Sequence, residues 1–129
     1  MAKISRDDIK KKGIKRTLRT FKYSAQGLAY AYKNEQSMWI HAIATIATVI
    51  LGIVCKLSLT EWAIVFIALG VILASELINT AIEAAVDLVT LEIHPLAKIA
   101  KDCGSASTFV LTLVSIIICL MVFIPHFIS

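Results

Sequence analysis

The chain contains Trp62-Ala63-Ile64-Val65-Phe66-Ile67-Ala68-Leu69-Gly70-Val71-Ile72-Leu73-Ala74-Ser75, an apolar run that continues without a proline or turn signal into Glu76-Leu77-Ile78-Asn79-Thr80-Ala81-Ile82-Glu83-Ala84-Ala85-Val86-Asp87. At about 100° per residue, the polar residues of the second part lie within roughly 80° of one another on a helix. We call these residues the acidic stripe: Glu76, Asn79, Glu83 and Asp87. The stretch therefore predicts one long helix, apolar at first and striped with acidic groups at its end.

The carboxylates of the acidic stripe repel one another. Like charges four residues apart on a helix lose about a few tenths of a kcal/mol even in water, and ionisable groups near a bilayer cost more. The stripe could face water just beyond the membrane, and Asp87 alone fits that interpretation. For Glu76, which directly follows the apolar run, a bound divalent cation is the better explanation, and Mg²⁺ prefers oxygen ligands. Glu35 has the same predicted depth, so Glu35 and Glu83 could share a metal ion if their helices pack.

Composition places the chain among membrane proteins. It has 129 residues, 58% of them hydrophobic, with a mean hydropathy of +0.81, which is too apolar for an ordinary soluble domain. Three segments reach the length of about 20 residues that a spanning helix needs, namely 38–55, 62 to about 82, and 103–124. A soluble bundle with three buried helices is disfavoured because the third segment carries no charge. The expected fold is an all-α membrane protein.

Charge and periodicity describe the first part of the chain. Of the thirteen Lys and Arg residues, ten precede the first apolar segment. After Gly13, apolar residues recur at steps of three and four, as in an amphipathic helix lying on a membrane surface: Ile14, Leu18, Phe21, Ala25, Leu28 and Tyr32. Ser5 and Asp8 resemble a capping box before it. We expect two regions, a basic amphipathic surface helix in 1–34 and a transmembrane region in 35–129.

The uneven charge also predicts orientation. The positive-inside rule places the N-terminus and the connection after the second span in the cytoplasm, with the acidic stripe at the cytoplasmic end of that span, and the turn at 56–61 outside. An anionic membrane surface is favoured over nucleic acid as the partner of the basic residues. Some of Arg16, Arg19 and Lys22 could instead turn toward a phosphate, and the pattern alone does not separate these two interpretations.

Local signals predict the remaining boundaries. Thr60 is the expected N-cap of the second span. The helix that contains this span must end before Pro95, and a new helix is expected to start at Leu96. The small residues 104–107 predict close helix contact, and the third span is expected to end near Pro125-His126. His41 is interpreted as a hydrogen-bonded residue rather than a metal ligand, and His94 as an exposed loop residue.

The polar residues at the cytoplasmic end are the parts that phosphoryl transfer uses. Carboxylates for Mg²⁺, a lysine for phosphate charge and one carboxylate free to take a proton are all present. No Gly-x-x-x-x-Gly-Lys loop exists, so a kinase would hold ATP without that cradle. Two other classes remain open: an ion- or proton-conducting oligomer with the stripe lining a pore, which the clustering of acids at one end disfavours, and a scaffold without chemistry, which leaves Glu76 unexplained.

The stretch from Glu76 to Asp87, followed by Ala100-Lys101-Asp102-Cys103-Gly104-Ser105-Ala106 and preceded by Asn34-Glu35, resembles the signature of the prokaryotic diacylglycerol kinase and undecaprenol kinase family. The resemblance covers the chain from about Arg16. It implies a homotrimer, each subunit having a surface helix and three transmembrane helices, with active sites between subunits. It also implies transfer of the ATP γ-phosphate to a lipid alcohol with Mg²⁺.

By position, the resemblance implies a role for each matching residue. Glu76 corresponds to the general base, and Glu35 and Glu83 correspond to metal ligands. The residues that would position phosphate and active-site water are Asn79, Lys101 and Asp102, with Asp87 in support and Arg16 matched to a basic residue near the nucleotide.

The acceptor lipid is indicated less uniformly. Thr60-Glu61-Trp62 and the segment 93–102 look like the undecaprenol kinase branch. Gly104-Ser105-Ala106 resembles the diacylglycerol branch, and Ser37 stands where an Asn is common in the undecaprenol group. Undecaprenol is the favoured acceptor, with diacylglycerol as the alternative.

Overall fold

The computed structural model describes residues 13–128, and helices are the only regular secondary structure over that range. Its elements are α1 (Ile14–Asn34), α2 (Gln36–Cys55), α3 (Leu59–Val89) and α4 (Pro95–Ile128). The three helices α2, α3 and α4 are each long and apolar enough to cross a membrane, as the sequence predicts. The capping box expected at Ser5 and Asp8 lies outside the described residues.

The helix α3 is longer than the hydrocarbon core it would cross. Its 31 residues correspond to about 46 Å at 1.5 Å per residue, whereas the core of a bilayer is about 30 Å thick. The apolar run occupies the first part of α3, so the surplus length falls at the end that carries the acidic stripe. The fold therefore extends this end of α3 past the apolar segment in one unbroken helix.

The turn between α2 and α3 corrects one predicted cap. Ser58, not Thr60, is the N-cap of α3. The Ser58 hydroxyl accepts a hydrogen bond from the Glu61 N–H at 3.2 Å, and the Glu61 carboxylate accepts one from the Ser58 N–H at 2.8 Å. This reciprocal capping box satisfies two otherwise unpaired N–H donors, and Thr60 already lies inside the first turn. Just before it, Lys56 ends α2 in the left-handed conformation, with φ of 55°.

We predict that Ser58→Ala destabilises the protein by about 1 kcal/mol, because α3 loses its N-cap acceptor. Thr60→Ala is the matched control, since Thr60 is exposed and is not the cap, and it should change stability little. The measurement is the midpoint of unfolding of each purified variant in the same detergent. Equal midpoints for the two variants would show that the capping box does not stabilise α3.

His94 and Pro95, the two residues singled out in the sequence at this loop, both contribute to the start of α4. Pro95 is the first residue of α4, a position where its missing N–H costs little. His94 is exposed as predicted, and its Nδ1 accepts a hydrogen bond from the Leu96 N–H at 3.1 Å. Thus α4 begins one residue earlier than expected, with the His94 side chain capping its first turn.

The end of α4 also differs from expectation. The helix continues through Pro125 to Ile128, so the prediction that it ends near Pro125-His126 is wrong. A proline is tolerated in a spanning helix where neighbouring groups compensate for the lost backbone hydrogen bond. In the residue after Pro125, His126 Nε2 lies 3.0 Å from Glu61 Oε1 at the start of α3.

The helices α3 and α4 form the most extensive contact in the described chain. A small apolar cluster packs near the α2–α3 turn, made of Leu57, Val65, Val122 and Phe123. Further along, the Ser115 hydroxyl donates to the Ala68 carbonyl across the two helices at 3.2 Å. The antiparallel arrangement brings the start of α2, the end of α3 and the start of α4 to one end of the molecule, where the acidic stripe lies.

Candidate active site

Glu76 is the most enclosed residue of the acidic stripe. It is 6% exposed, and both carboxylate oxygens contact donors from α2. The Ser37 hydroxyl donates to Oε2 at 2.9 Å, and His41 Nε2 lies 3.0 Å from Oε1. The prediction that His41 is hydrogen-bonded is confirmed, and Glu76 is its partner. Sequence reasoning did not assign Ser37 or His41 to the site, although their four-residue spacing places them on one face of α2.

Asn79 and Glu83 lie one and two turns further along α3. The Asn79 amide nitrogen donates to Glu83 Oε1 at 3.3 Å. The amide oxygen of Asn79 is buried and finds no hydrogen-bond partner in the part of the chain that the structure describes. It faces α4 at Gly104, where an added Cβ would lie 2.5 Å from it. The close contact predicted for the small residues is thus confirmed at buried Gly104, while residues 105–107 are exposed.

Glu35 joins the acidic stripe from another segment. It ends α1 and caps α2 with an extended backbone, φ −109°. Partial burial raises the pKa of its carboxyl above the ordinary value, and the negative charges of Glu83 and Glu76 raise it further. Glu35 therefore lies near enough to Glu83 for the charge of Glu83 to contribute to the raised pKa of the Glu35 carboxyl.

Asp87 and Lys101 connect α3 to α4 at the outer end of the stripe. Lys101 Nζ donates to Asp87 Oδ1 at 2.6 Å, and both side chains remain partly exposed. Asp102 pairs with Lys98 on its own helix instead. Adjacent residues on a helix point about 100° apart, which is why Lys101 reaches α3 and Asp102 does not. These residues line a cavity of about 260 Å³ together with Thr90 and His94.

Arg16 is placed apart from these groups in the described chain. It is exposed on the first turn of α1. It lines a shallow surface cavity whose other lining residues are Gly13 and four residues of α1. The structure therefore brings together Glu35, Glu76, Asn79, Glu83, Asp87 and Lys101, sets Asp102 beside them, and leaves Arg16 on α1.

The sequence profile of the prokaryotic diacylglycerol kinase family matches residues 22–123. That range contains the whole acidic stripe, Glu35 and Lys101. The chain belongs to this family. It is accordingly a lipid kinase, and its three long apolar helices are those of a membrane protein.

Individual members of the family support the assignment. The chain is 38% identical over 112 residues to a Bacillus subtilis protein named undecaprenol kinase, covering 87% of this chain and 91% of that one. It is 37% identical over 105 residues to a diacylglycerol kinase of Pseudomonas aeruginosa, covering 81% and 85%. A diacylglycerol kinase of Escherichia coli is 28% identical over 115 residues, covering 89% and 94%. Both kinds of lipid kinase therefore occur among the relatives of this chain.

The donor groups of this kinase suit magnesium in one specific way. Within residues 13–128, no three His, Cys, Asp or Glu side chains are grouped so as to hold a metal ion by themselves. Mg²⁺ is commonly bound by one or two carboxylates together with substrate phosphates and water, rather than by a complete protein cage. Glu35 and Glu83, two carboxylates from different segments that repel each other, fit that kind of site.

An apolar groove adjoins the site. It has a volume of about 470 Å³, lies along α2 and α3, and is lined by side chains that are apolar except for Tyr32, His41 and Thr45. His41 thus contacts Glu76 and also forms part of the groove wall.

Proposed function

We propose that this kinase transfers the γ-phosphate of ATP to the hydroxyl of undecaprenol, giving undecaprenyl phosphate, with diacylglycerol as the alternative acceptor. The observation that carries the proposal is the buried Glu76 carboxylate beside an apolar groove, at the end of the molecule where Lys101 and the other acidic groups gather. The Bacillus subtilis relative supports undecaprenol, and the Pseudomonas aeruginosa relative supports diacylglycerol.

Glu76 is the general base in this proposal. The carboxylate takes the proton of the lipid hydroxyl as the hydroxyl oxygen forms its bond to the γ-phosphorus. The bond between that phosphorus and the β–γ bridging oxygen breaks, and ADP leaves. General bases act on protons within hydrogen-bonding reach, and His41, which lines the groove, contacts Glu76.

The remaining residues position the phosphates. Glu35 and Glu83 would hold Mg²⁺, which when bound supplies positive charge against the phosphate oxygens. Asn79 fixes the Glu83 carboxylate through its amide nitrogen. Lys101 supplies a positive charge for phosphate, with Asp87 as its support. Asp102, which lines the same cavity, would orient water or phosphate. Arg16 lies apart from these groups on α1, and its proposed place near the nucleotide rests on the family resemblance.

The proposed assembly is a homotrimer in a bacterial inner or plasma membrane, with the N-terminus and the site in the cytoplasm. Apolar side chains in the first part of α1 are unburied in the isolated chain, with Ile14 81% exposed and Leu18 and Phe21 also exposed. An amphipathic helix on the anionic membrane surface would bury them in the headgroup region. In this proposal residues 1–34 form the surface region and 35–129 the transmembrane kinase region, which work as one domain.

The test offers the purified protein labelled ATP and Mg²⁺ with undecaprenol or diacylglycerol in separate detergent micelles, and follows the label into lipid. Preferential labelling of undecaprenol is the expected result. Preferential labelling of diacylglycerol would overturn the proposed substrate but leave a lipid kinase. Labelling of neither lipid would overturn the proposed reaction, and ion flux in vesicles would then test the conducting oligomer.

A further prediction concerns the proposed magnesium ligands. Glu83→Gln removes one of two carboxylates, so the Mg²⁺ concentration for half-maximal lipid phosphorylation should rise by about tenfold or more, since even losing a group that only orients a metal ligand costs about 10- to 100-fold in affinity. Glu61→Gln is the control, because Glu61 lies at the opposite end of α3 from Glu83. The measurement is a Mg²⁺ titration at saturating ATP. An unchanged midpoint for Glu83→Gln would remove Glu83 from the metal site.

A further inference from the structure

Two side chains of α2 form hydrogen-bond contacts with the Glu76 carboxylate from the same side. Ser37 and His41 are four residues apart, so both project from the same face of α2. Their donors reach different oxygens of Glu76, at 2.9 Å and 3.0 Å. The Glu76 side chain is 7% exposed and that of His41 19% exposed. These contacts therefore lie in an enclosed place, where little water competes with them.

The two contacts restrict how the carboxylate can turn. A single hydrogen bond leaves a carboxylate free to rotate about its terminal torsion, which is broad and soft. A donor at each oxygen fixes the plane of the group. An ionised carboxylate has about four lone-pair sites, so two remain available for an acceptor hydroxyl. His41 also lines the apolar groove. In the proposed reaction, the Glu76 carboxylate that His41 contacts is therefore next to the place where a lipid hydroxyl would bind.

We propose that Ser37 and His41 are positioning residues that orient the Glu76 carboxylate toward the hydroxyl of the acceptor lipid. This inference rests on the proposed lipid kinase reaction. It assigns a task in that reaction to α2, whose first two turns otherwise contribute only an interfacial Trp39 and buried Met38. Ser37 and His41 act through Glu76, so their effect should require the Glu76 carboxylate.

A matched pair of residues provides the control. At the opposite end of the molecule His126 Nε2 lies 3.0 Å from Glu61 Oε1, which is the same contact between the same residue types. This second pair joins α4 to α3 fifteen residues before Glu76, about 22 Å along the helix at 1.5 Å per residue. Loss of a histidine–glutamate contact can therefore be compared at two ends of one protein, only one of which adjoins the proposed reaction.

The first experiment compares His41→Leu, His41→Gln and His126→Leu in the lipid-labelling assay. We expect His41→Leu to lower kcat by about 10²-fold, the effect of misplacing a reacting group by about 1 Å, with the KM for ATP unchanged. His41→Gln keeps an N–H donor and should recover most of kcat, while His126→Leu should keep the activity of the unsubstituted protein. The inference would be overturned if a folded His41→Leu variant lost less than about threefold in kcat relative to the unsubstituted protein. It would also be overturned if His126→Leu lost as much kcat as His41→Leu.

The second experiment tests whether these residues act through Glu76. Residues that work as a unit give non-additive effects on rate. We expect His41→Leu combined with Glu76→Gln to be no slower than Glu76→Gln alone, and Ser37→Thr to retain more activity than Ser37→Ala. A further 10²-fold loss in the double variant would show that His41 acts independently of Glu76, against the inference.

The outcomes separate this inference from the function on which it rests. If the unsubstituted protein labels neither lipid, the proposed function fails first. If it labels lipid and the His41 variants do so at the same rate, the kinase reaction stands and the positioning role fails. Should His41→Leu not fold, His41→Gln and the Ser37 pair provide the same comparison, with helical content by circular dichroism as the check.

Discussion

Glu76→Gln should abolish nearly all lipid phosphorylation, with a fall in kcat of about 10²- to 10⁴-fold, the range that general-base catalysis contributes. The amide has almost the shape of the carboxylate but cannot accept the proton of the lipid hydroxyl. It can still be accommodated, because its oxygen can accept from His41 while its nitrogen donates to the Ser37 hydroxyl, which is both donor and acceptor. The measurement is initial rate of label transfer at saturating ATP and lipid.

Glu61→Gln is the matched control for this prediction. Glu61 is on the same helix, and it too lies 3.0 Å from a histidine, His126. It is at the opposite end of α3, so its replacement should leave kcat within about threefold, well under one power of ten in rate. Both variants should retain the helical content and elution volume of the unsubstituted protein. Appreciable turnover by a folded Glu76→Gln variant would remove Glu76 from the role of base.

Gly104→Ala should lower kcat by about 10²-fold through a single added methyl group. The new Cβ would lie 2.5 Å from the Asn79 amide oxygen and 3.5 Å from Ile82 Cδ1. Asn79 must then move, and its hydrogen bond to Glu83 moves with it. Overpacking of this kind also costs about 1–3 kcal/mol of stability, so the rate is measured well below the unfolding midpoint.

Gly27→Ala is the control for this variant. Gly27 is also a helical glycine, on α1, but a Cβ there meets nothing within 4 Å. The substitution should leave activity unchanged and stabilise the helix slightly, because alanine has a higher helix propensity than glycine. If Gly104→Ala is as active as Gly27→Ala, the contact between Gly104 and Asn79 does not position the site.

The boundaries of the helices show how far local reasoning extends. The apolar segments predict α2, α3 and α4 because an uninterrupted apolar run of sufficient length has few other stable structures in a membrane. Their ends are harder to predict, since Ser58 and Thr60 both satisfy the preference for an N-cap residue. The choice depends on which hydroxyl meets a free N–H, and the Glu61 carboxylate favours Ser58 by closing the capping box.

The candidate site likewise has features that follow from residue spacing and contacts that depend on helix packing. The acidic stripe and its helical face follow from residue spacing along α3. The contact of Glu76 with Ser37 and His41 joins residues 39 and 35 positions apart, a separation that no helical period describes. The pairing of Asp102 with Lys98 also depends on the rotation of α4, which turns Lys101 toward α3.

The sequence by itself determined the helical class, the three apolar helices and the alignment of Glu76, Asn79, Glu83 and Asp87 on one face. These features depend on hydrophobicity and on a period of 3.6 residues, both of which are local. The tertiary structure alone decided which helices contact each other. It places His41 of α2 against the Glu76 carboxylate, packs Gly104 closely against Asn79, and pairs Lys101 with Asp87. Such contacts depend on how each helix is rotated about its axis, and packing against neighbouring helices sets that rotation.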